Sequence, residues 1–111
     1  MAEKPGNEEI AQVLERIAGL LEAQGANVHR VRAYRDGAQR VREAGESLAG
    51  LVRRGEERAL LDIPGIGERL GGLIFEYVRT GRSALLERLQ GEVLARRLDP
   101  WSASDRLLAG A

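Results

Sequence analysis

The stretch Asp62-Ile63-Pro64-Gly65-Ile66-Gly67-Glu68-Arg69-Leu70 decides the reading of this chain. A short apolar loop, Ile63 to Gly67, lies between two segments with helical apolar spacing. Pro64 ends the first segment, because it lacks an N–H and its ring clashes with the preceding turn. Gly65 and Gly67 allow positive φ or close backbone approach. The second segment opens with unpaired backbone N–H groups at the positive end of a helix dipole, which favours an anion such as phosphate. The expected amide donors are Gly65, Ile66, Gly67 and Glu68, and Arg69 adds a charge-assisted contact. Ile63 and Ile66 are expected to anchor the loop in the core. The plain alternative is an ordinary turn between two helices.

Working outward, both flanks read as helix. Upstream, Ile10, Val13, Leu14, Ile17, Leu20 and Leu21 form one apolar stripe. Asn7 is the expected N-cap, with Glu8 and Glu9 in the first turn and Gly25 as the stop. Asn27 is expected to cap a helix over 28–44, with Val31, Tyr34, Ala38 and Val41 inward. Ser47 caps a short helix ending near Gly55, and Glu57–Leu61 forms the first arm of the hairpin. The second arm runs to about Arg79 with Leu70, Leu73, Ile74, Tyr77 and Val78 inward, and Gly81 closes it. Ser83 opens another helix carrying Leu85, Leu86 and Leu89. The helical signal weakens after Gly91, Asp99-Pro100 breaks it, and Ser102 to Asp105 offers a new start. Trp101 is expected to tuck onto the domain. The expectation is an all-α fold, a small bundle of four to six helices. Residues 1–6 read as a flexible tail, 7–90 as the domain and 91–111 as a helical extension or tail.

Composition narrows the function. The 111 residues suffice for one domain with a modest core. Apolar residues make up 43% and charged residues 31%, which fits a folded rather than a disordered chain. With no cysteine and one histidine, disulfides, thiolate metal sites and an ordinary zinc site are excluded. No apolar run has membrane-spanning length and the N-terminus does not read as a signal peptide, so a cytoplasmic location without a membrane partner is expected. The formal net charge is zero, which argues against a strongly basic, histone-like binder. Its distribution is uneven: residues 28–42 sum to +4 and residues 1–24 to −3. Contact with a polyanion is therefore expected to be local.

Taken in order, the motifs resemble a known family. An amphipathic first helix, Arg30-Val31-Arg32-Ala33-Tyr34-Arg35, Ile63-Pro64-Gly65-Ile66-Gly67 and Tyr77-Val78-Arg79-Thr80-Gly81-Arg82 are similar to the N-terminal helix-hairpin-helix domain of family X DNA polymerases. The resemblance covers about residues 7–90 and stops before any nucleotidyl-transfer domain; no Asp-x-Asp pair is present. It implies DNA binding through the phosphate backbone without base readout, with gapped or 5′-phosphorylated DNA as the form of interest. Arg30, Tyr34 and Arg35 match positions lining the family's 5′-phosphate pocket, and His29 matches a histidine that stacks on a base. The backbone carbonyls of Leu61, Ile63 and Ile66 match a monovalent-cation site, K+ or Na+; no other cofactor is implied.

The sequence departs from the family where the chemistry would be. The family's sugar-phosphate lyase uses a lysine amine to form a Schiff base. That lysine falls at Leu73, the lysine just after the loop falls at Arg69, and the neighbouring carboxylate falls at Gly72. Arginine stays protonated and holds phosphate without attacking carbon. The only lysine in the chain is Lys4. The expectation is a DNA-binding domain without enzyme activity. The alternative is a protein-interaction module that kept the fold and lost DNA, or one that meets a protein partner in DNA repair or replication.

Overall fold

The computed structural model describes residues 3–98, and these form six helices. They are α1 (Asn7–Ala23), α2 (Val28–Glu43), α3 (Leu48–Arg53), α4 (Glu57–Leu61), α5 (Glu68–Thr80) and α6 (Ala84–Leu98). The expected all-α bundle with one helix-hairpin-helix is what the chain builds, the hairpin being α4, its loop and α5. The reading of Trp101 and of a helix start at Ser102 lies outside the described residues.

Helices α1 and α2 make the main pair. Their short connection sends α2 back along α1, and the ion pairs record the antiparallel register. Arg35 meets Glu22, while Arg42, nearer the end of α2, meets Glu15 and Glu8, nearer the start of α1. The apolar stripe of α1 is buried as read, with Ile10, Leu14, Ile17 and Leu21 facing Val31, Tyr34, Ala38 and Val41 of α2. Helices α3 and α5 close this core with Leu48, Leu51, Val52, Leu70, Leu73, Ile74 and Val78, and α6 adds Leu89. At about 25 cal/mol per Å² of apolar surface removed from water, such burial is the main stabilising term.

The helix ends follow local chemistry. Asn27 Oδ1 accepts from the His29 N–H at 2.7 Å, and Ser47 Oγ accepts from the Gly50 N–H at 3.1 Å. Ser83, 2% exposed, accepts from the Leu86 N–H and so starts α6. Gly81 ends α5 at φ +74°, the left-handed region that glycine reaches without strain.

Two expectations are corrected, and of the two readings of the region after Gly91 the helical one holds as far as Leu98. Asn7 does not cap α1; Gly6 takes the cap position. The Asn7 amide instead donates to the Glu46 carbonyl at 2.8 Å, and its oxygen accepts from the Leu48 N–H at 3.0 Å. It therefore ties the start of α1 to the start of α3. Residues 3–6, read as a tail, pack on the fold: Pro5 is buried and Glu3 rests against Gly50, 3.8 Å from Arg54. Helix α6 runs unbroken through Gly91 to Leu98. One glycine in a helix costs only about 1 kcal/mol, and Leu, Glu, Ala and Arg around it favour helix.

Candidate nucleic-acid interface

The hairpin loop owes its shape to Pro64 and Gly65. Helix α4 stops at Leu61, and the Ile66 N–H folds back to the Ile63 carbonyl at 2.9 Å. Gly65 takes φ +89°, where a side chain would be strained. Ile66 is 2% exposed and plugs the loop into the core, while Pro64, Gly65 and Gly67 stay at the surface. A rigid, exposed turn results.

Helix α5 begins without a side-chain cap. Among the described residues the N–H groups of Gly65, Gly67, Glu68 and Arg69 take part in no backbone hydrogen bond outside helices. The Ile66 N–H, expected among the phosphate donors, is committed to Ile63. The donor set is therefore one amide smaller than the sequence suggested, because the turn closes on itself.

Helix α2 supplies the facing wall. Gly37 is what allows the close approach: a Cβ there would stand 2.7 Å from Leu70 Cδ1 and 3.9 Å from the Gly65 carbonyl oxygen. Between α2 and the hairpin lies a cavity of about 430 Å³, lined by His29, Arg30, Ala33, Tyr34, Gly65, Gly67, Arg69 and Leu70. Six of the predicted site residues meet there: His29, Arg30, Tyr34, Gly65, Gly67 and Arg69. Tyr34 is 2% exposed, and neither its hydroxyl nor Arg30 Nε finds a hydrogen-bond partner. Buried polar atoms are normally paired. Both residues line the cavity, beside the uncapped amides.

Arg35 belongs elsewhere, and Glu68 keeps its free amide at the turn while also lining a second groove. Arg35 forms a two-pronged bond to Glu22, at 2.9 and 3.2 Å, on the α1 side of α2. Glu22 lies below the usual carboxylate range because of that guanidinium. Five residues of helix turn Arg35 about 140° away from Arg30, so the two cannot serve one pocket. Glu68 lines a different groove of about 300 Å³ with Glu57, Leu60, Leu61, Gly71, Gly72 and Phe75. Leu73, at the family's nucleophile position, is 8% exposed and part of the core.

Several arginines are tied to carboxylates. Arg42 is held by Glu15 at 2.7 Å and Glu8 at 2.9 Å, and both carboxyls are pulled down chiefly by hydrogen bonding to it. Arg82 is held by Glu87 at 2.7 Å. Arg30 and Arg69, by contrast, make no ion pair within 4.0 Å among the described residues. A net charge of zero thus leaves unpaired cations at the hairpin. Arg40, which sequence reasoning left out of the site, lies against Gly65, its Cγ 2.9 Å from where a Cβ would stand. Its helical phase, three residues after Gly37, could have flagged it.

Comparison with known proteins agrees with this geometry. A family model described as a helix-hairpin-helix domain matches residues 5–83. The DNA polymerase/3′-5′ exonuclease PolX of Bacillus subtilis (strain 168) is 34% identical over 85 residues, which is 77% of this chain and 14% of that protein. The chain thus spans about a seventh of the length of that relative. No solved structure gives a significant match. No described helix is long and apolar enough to cross a membrane. From hairpin, cavity and family match together, the chain belongs to the helix-hairpin-helix domain family and is related to the family X DNA polymerases.

Proposed function

We propose that this domain binds DNA through the phosphate backbone without reading sequence, and that it takes a 5′-phosphate at a gap or end in the cavity between α2 and the hairpin. The observation that carries the reading is the pair of partnerless buried atoms, Tyr34 Oη and Arg30 Nε, at a cavity also lined by Gly65, Gly67 and Arg69. A phosphate would accept from the hydroxyl, the guanidinia and the backbone amides together. His29 is exposed at the mouth and suited to stacking on a base.

The domain acts as a grip rather than a lyase. Leu73 offers no amine, and Arg69 cannot lose its proton under working conditions. The carbonyls of Leu61, Ile63 and Ile66 are the groups that would hold a monovalent cation, K+ or Na+. Those of Leu61 and Ile66 accept no backbone hydrogen bond outside helices, and that of Ile63 takes one from Ile66, leaving a lone pair. A cation there would add positive charge beside the phosphate-binding turn.

The test is binding to one gapped duplex with either a 5′-phosphate or a 5′-hydroxyl. Tighter binding of the phosphorylated form is expected, and equal affinities would remove the end-binding part. Borohydride trapping on DNA with an abasic site is expected to give no covalent adduct; a trapped adduct would restore the lyase reading. The second reading, a protein-interaction module, is favoured by one observation: Leu61 is 41% exposed at the rim of the apolar groove shared with Gly72 and Phe75. Absence of DNA binding by the folded chain would bring that reading forward.

A further inference from the structure

We propose that Arg40 is a further phosphate contact, seated on the hairpin turn, and that it engages the DNA strand beyond the phosphate held at the cavity. The inference deepens the DNA-binding reading and rests on it.

Three observations carry it. First, position: Arg30, Tyr34, Gly37 and Arg40 fall within an arc of about 120° on α2, the first two lining the cavity and Gly37 touching the hairpin. Arg40 continues that line past the turn. Second, packing: the Arg40 stem lies on the one surface that Gly65 leaves open, with Cγ at 2.9 Å, Nε at 3.6 Å and Cδ at 3.7 Å from an ideal Cβ. A stem already seated loses less rotamer freedom when the guanidinium meets an anion. Third, charge: its one ion-pair partner among the described residues is Glu43, at 3.9 Å, with both side chains about half exposed. Arg42 and Arg82 sit at 2.7 Å from their carboxylates and Arg35 at 2.9 Å. The Arg40 guanidinium is thus less committed than those three, and, unlike the other loosely paired arginines Arg54 and Arg88, it lies at the edge of the turn.

Arg30 and Arg40 stand about 15 Å apart along the axis of α2. With the backbones that far apart, and with Arg40 resting on Gly65 without lining the cavity, Arg40 is assigned the neighbouring phosphate of the strand. The competing role is purely structural: a cation in the last turn of α2 complements the helix dipole. That role would show in thermal stability and not in the salt dependence of binding.

The experiment compares the wild type with Arg40→Met, which keeps the stem on Gly65 and removes the charge. Arg88→Gln on α6 serves as the control, and Arg69→Gln as the marker for the hairpin itself. Each is titrated with a fluorescent gapped duplex at several salt concentrations, and each is melted. The expected result for Arg40→Met is a plot of log K against log salt shallower by about 0.7–0.9, with Kd raised about 5- to 10-fold near 0.1 M salt. Its Tm stays near that of the wild type, and Arg88→Gln binds like the wild type. Wild-type affinity and slope for Arg40→Met, with Arg69→Gln weakened, overturns the role of Arg40 and leaves the DNA reading standing. No binding by the folded wild type overturns both. If Arg40→Met loses stability, Arg40→Gln is read by the same slope.

Discussion

Replacing Tyr34 with Phe removes one oxygen and keeps the ring, so it isolates what the hydroxyl does. The residue is 2% exposed and its hydroxyl has no hydrogen-bond partner. A buried polar group without a partner costs about 1–3 kcal/mol. The adjoining cavity of about 430 Å³ gives the surroundings room to relax, so the lower end applies. Tyr34→Phe is therefore expected to stabilise the DNA-free protein by about 1 kcal/mol, a rise in Tm of about 4–8 °C for a domain of this size. The same change deletes a donor to phosphate. A hydrogen bond to a charged group contributes about 1.5–3 kcal/mol, and its loss weakens binding about 10- to 100-fold. Thermal unfolding without DNA reads the first effect; fluorescence anisotropy with a 5′-phosphorylated gapped duplex reads the second. The two effects have opposite signs, and that is the signature of a residue kept for binding at the expense of stability. A lower Tm, or an unchanged Kd, refutes the reasoning.

Two further predictions concern the scaffold. Gly19 sits in α1 with nothing within 4 Å of a built Cβ, whereas a Cβ at Gly71 would stand 2.5 Å from Leu61 Cδ2. Gly19→Ala should add about 0.5–1 kcal/mol, while Gly71→Val should cost about 1–3 kcal/mol through overpacking; urea unfolding measures both, and a stabilised Gly71→Val would contradict the packing. The carboxyls of Glu8, Glu15, Glu22 and Glu87 are all lowered by arginine hydrogen bonds. Folded values below the unfolded ones mean that this stabilisation is present above about pH 4.5 and lost as pH falls through the folded values. Melting curves from pH 7 to pH 2 should therefore show a loss on acidification that is smaller in Arg42→Gln; an equal loss would sink the pairing argument.

Much of this was legible beforehand because it is local. Apolar periodicity gave all six helices, and Asn27, Ser47 and Ser83 announced helix starts through bonds to amides two or three residues away. What stayed hidden depends on distant partners. Asn7 has the right chemistry for a cap, but its partners are 39 and 41 residues away, so the sequence could not show that it ties two helices together. The packing of Pro5 and Glu3 against the fold is hidden for the same reason.

At the site, family resemblance and helix geometry disagreed, and geometry decided. Resemblance brought Arg35 to the phosphate, although its phase on α2 is about 140° from that of Arg30, and Glu22 holds it. Arg40 lacked any motif to mark it, yet it lies on the hairpin. Backbone accounting removed the Ile66 amide from the donors, which only the closed turn reveals. Glu68 keeps its free amide at the turn and also lines the groove shared with Glu57 and Phe75.

The central claim is that the turn before α5 and its cations hold a sugar-phosphate strand. Its most direct test is the salt dependence of DNA binding by the wild type beside Gly65→Val, with folding of both checked by helical circular dichroism. Gly65 sits at φ +89° with the Arg40 stem against it, so a β-branched residue must move the turn. The account predicts that wild-type log K falls with log salt with a slope of about −3, as for three or four phosphate contacts, and that Gly65→Val binds far more weakly. Folded wild type that ignores DNA, or Gly65→Val that binds equally well, would contradict it.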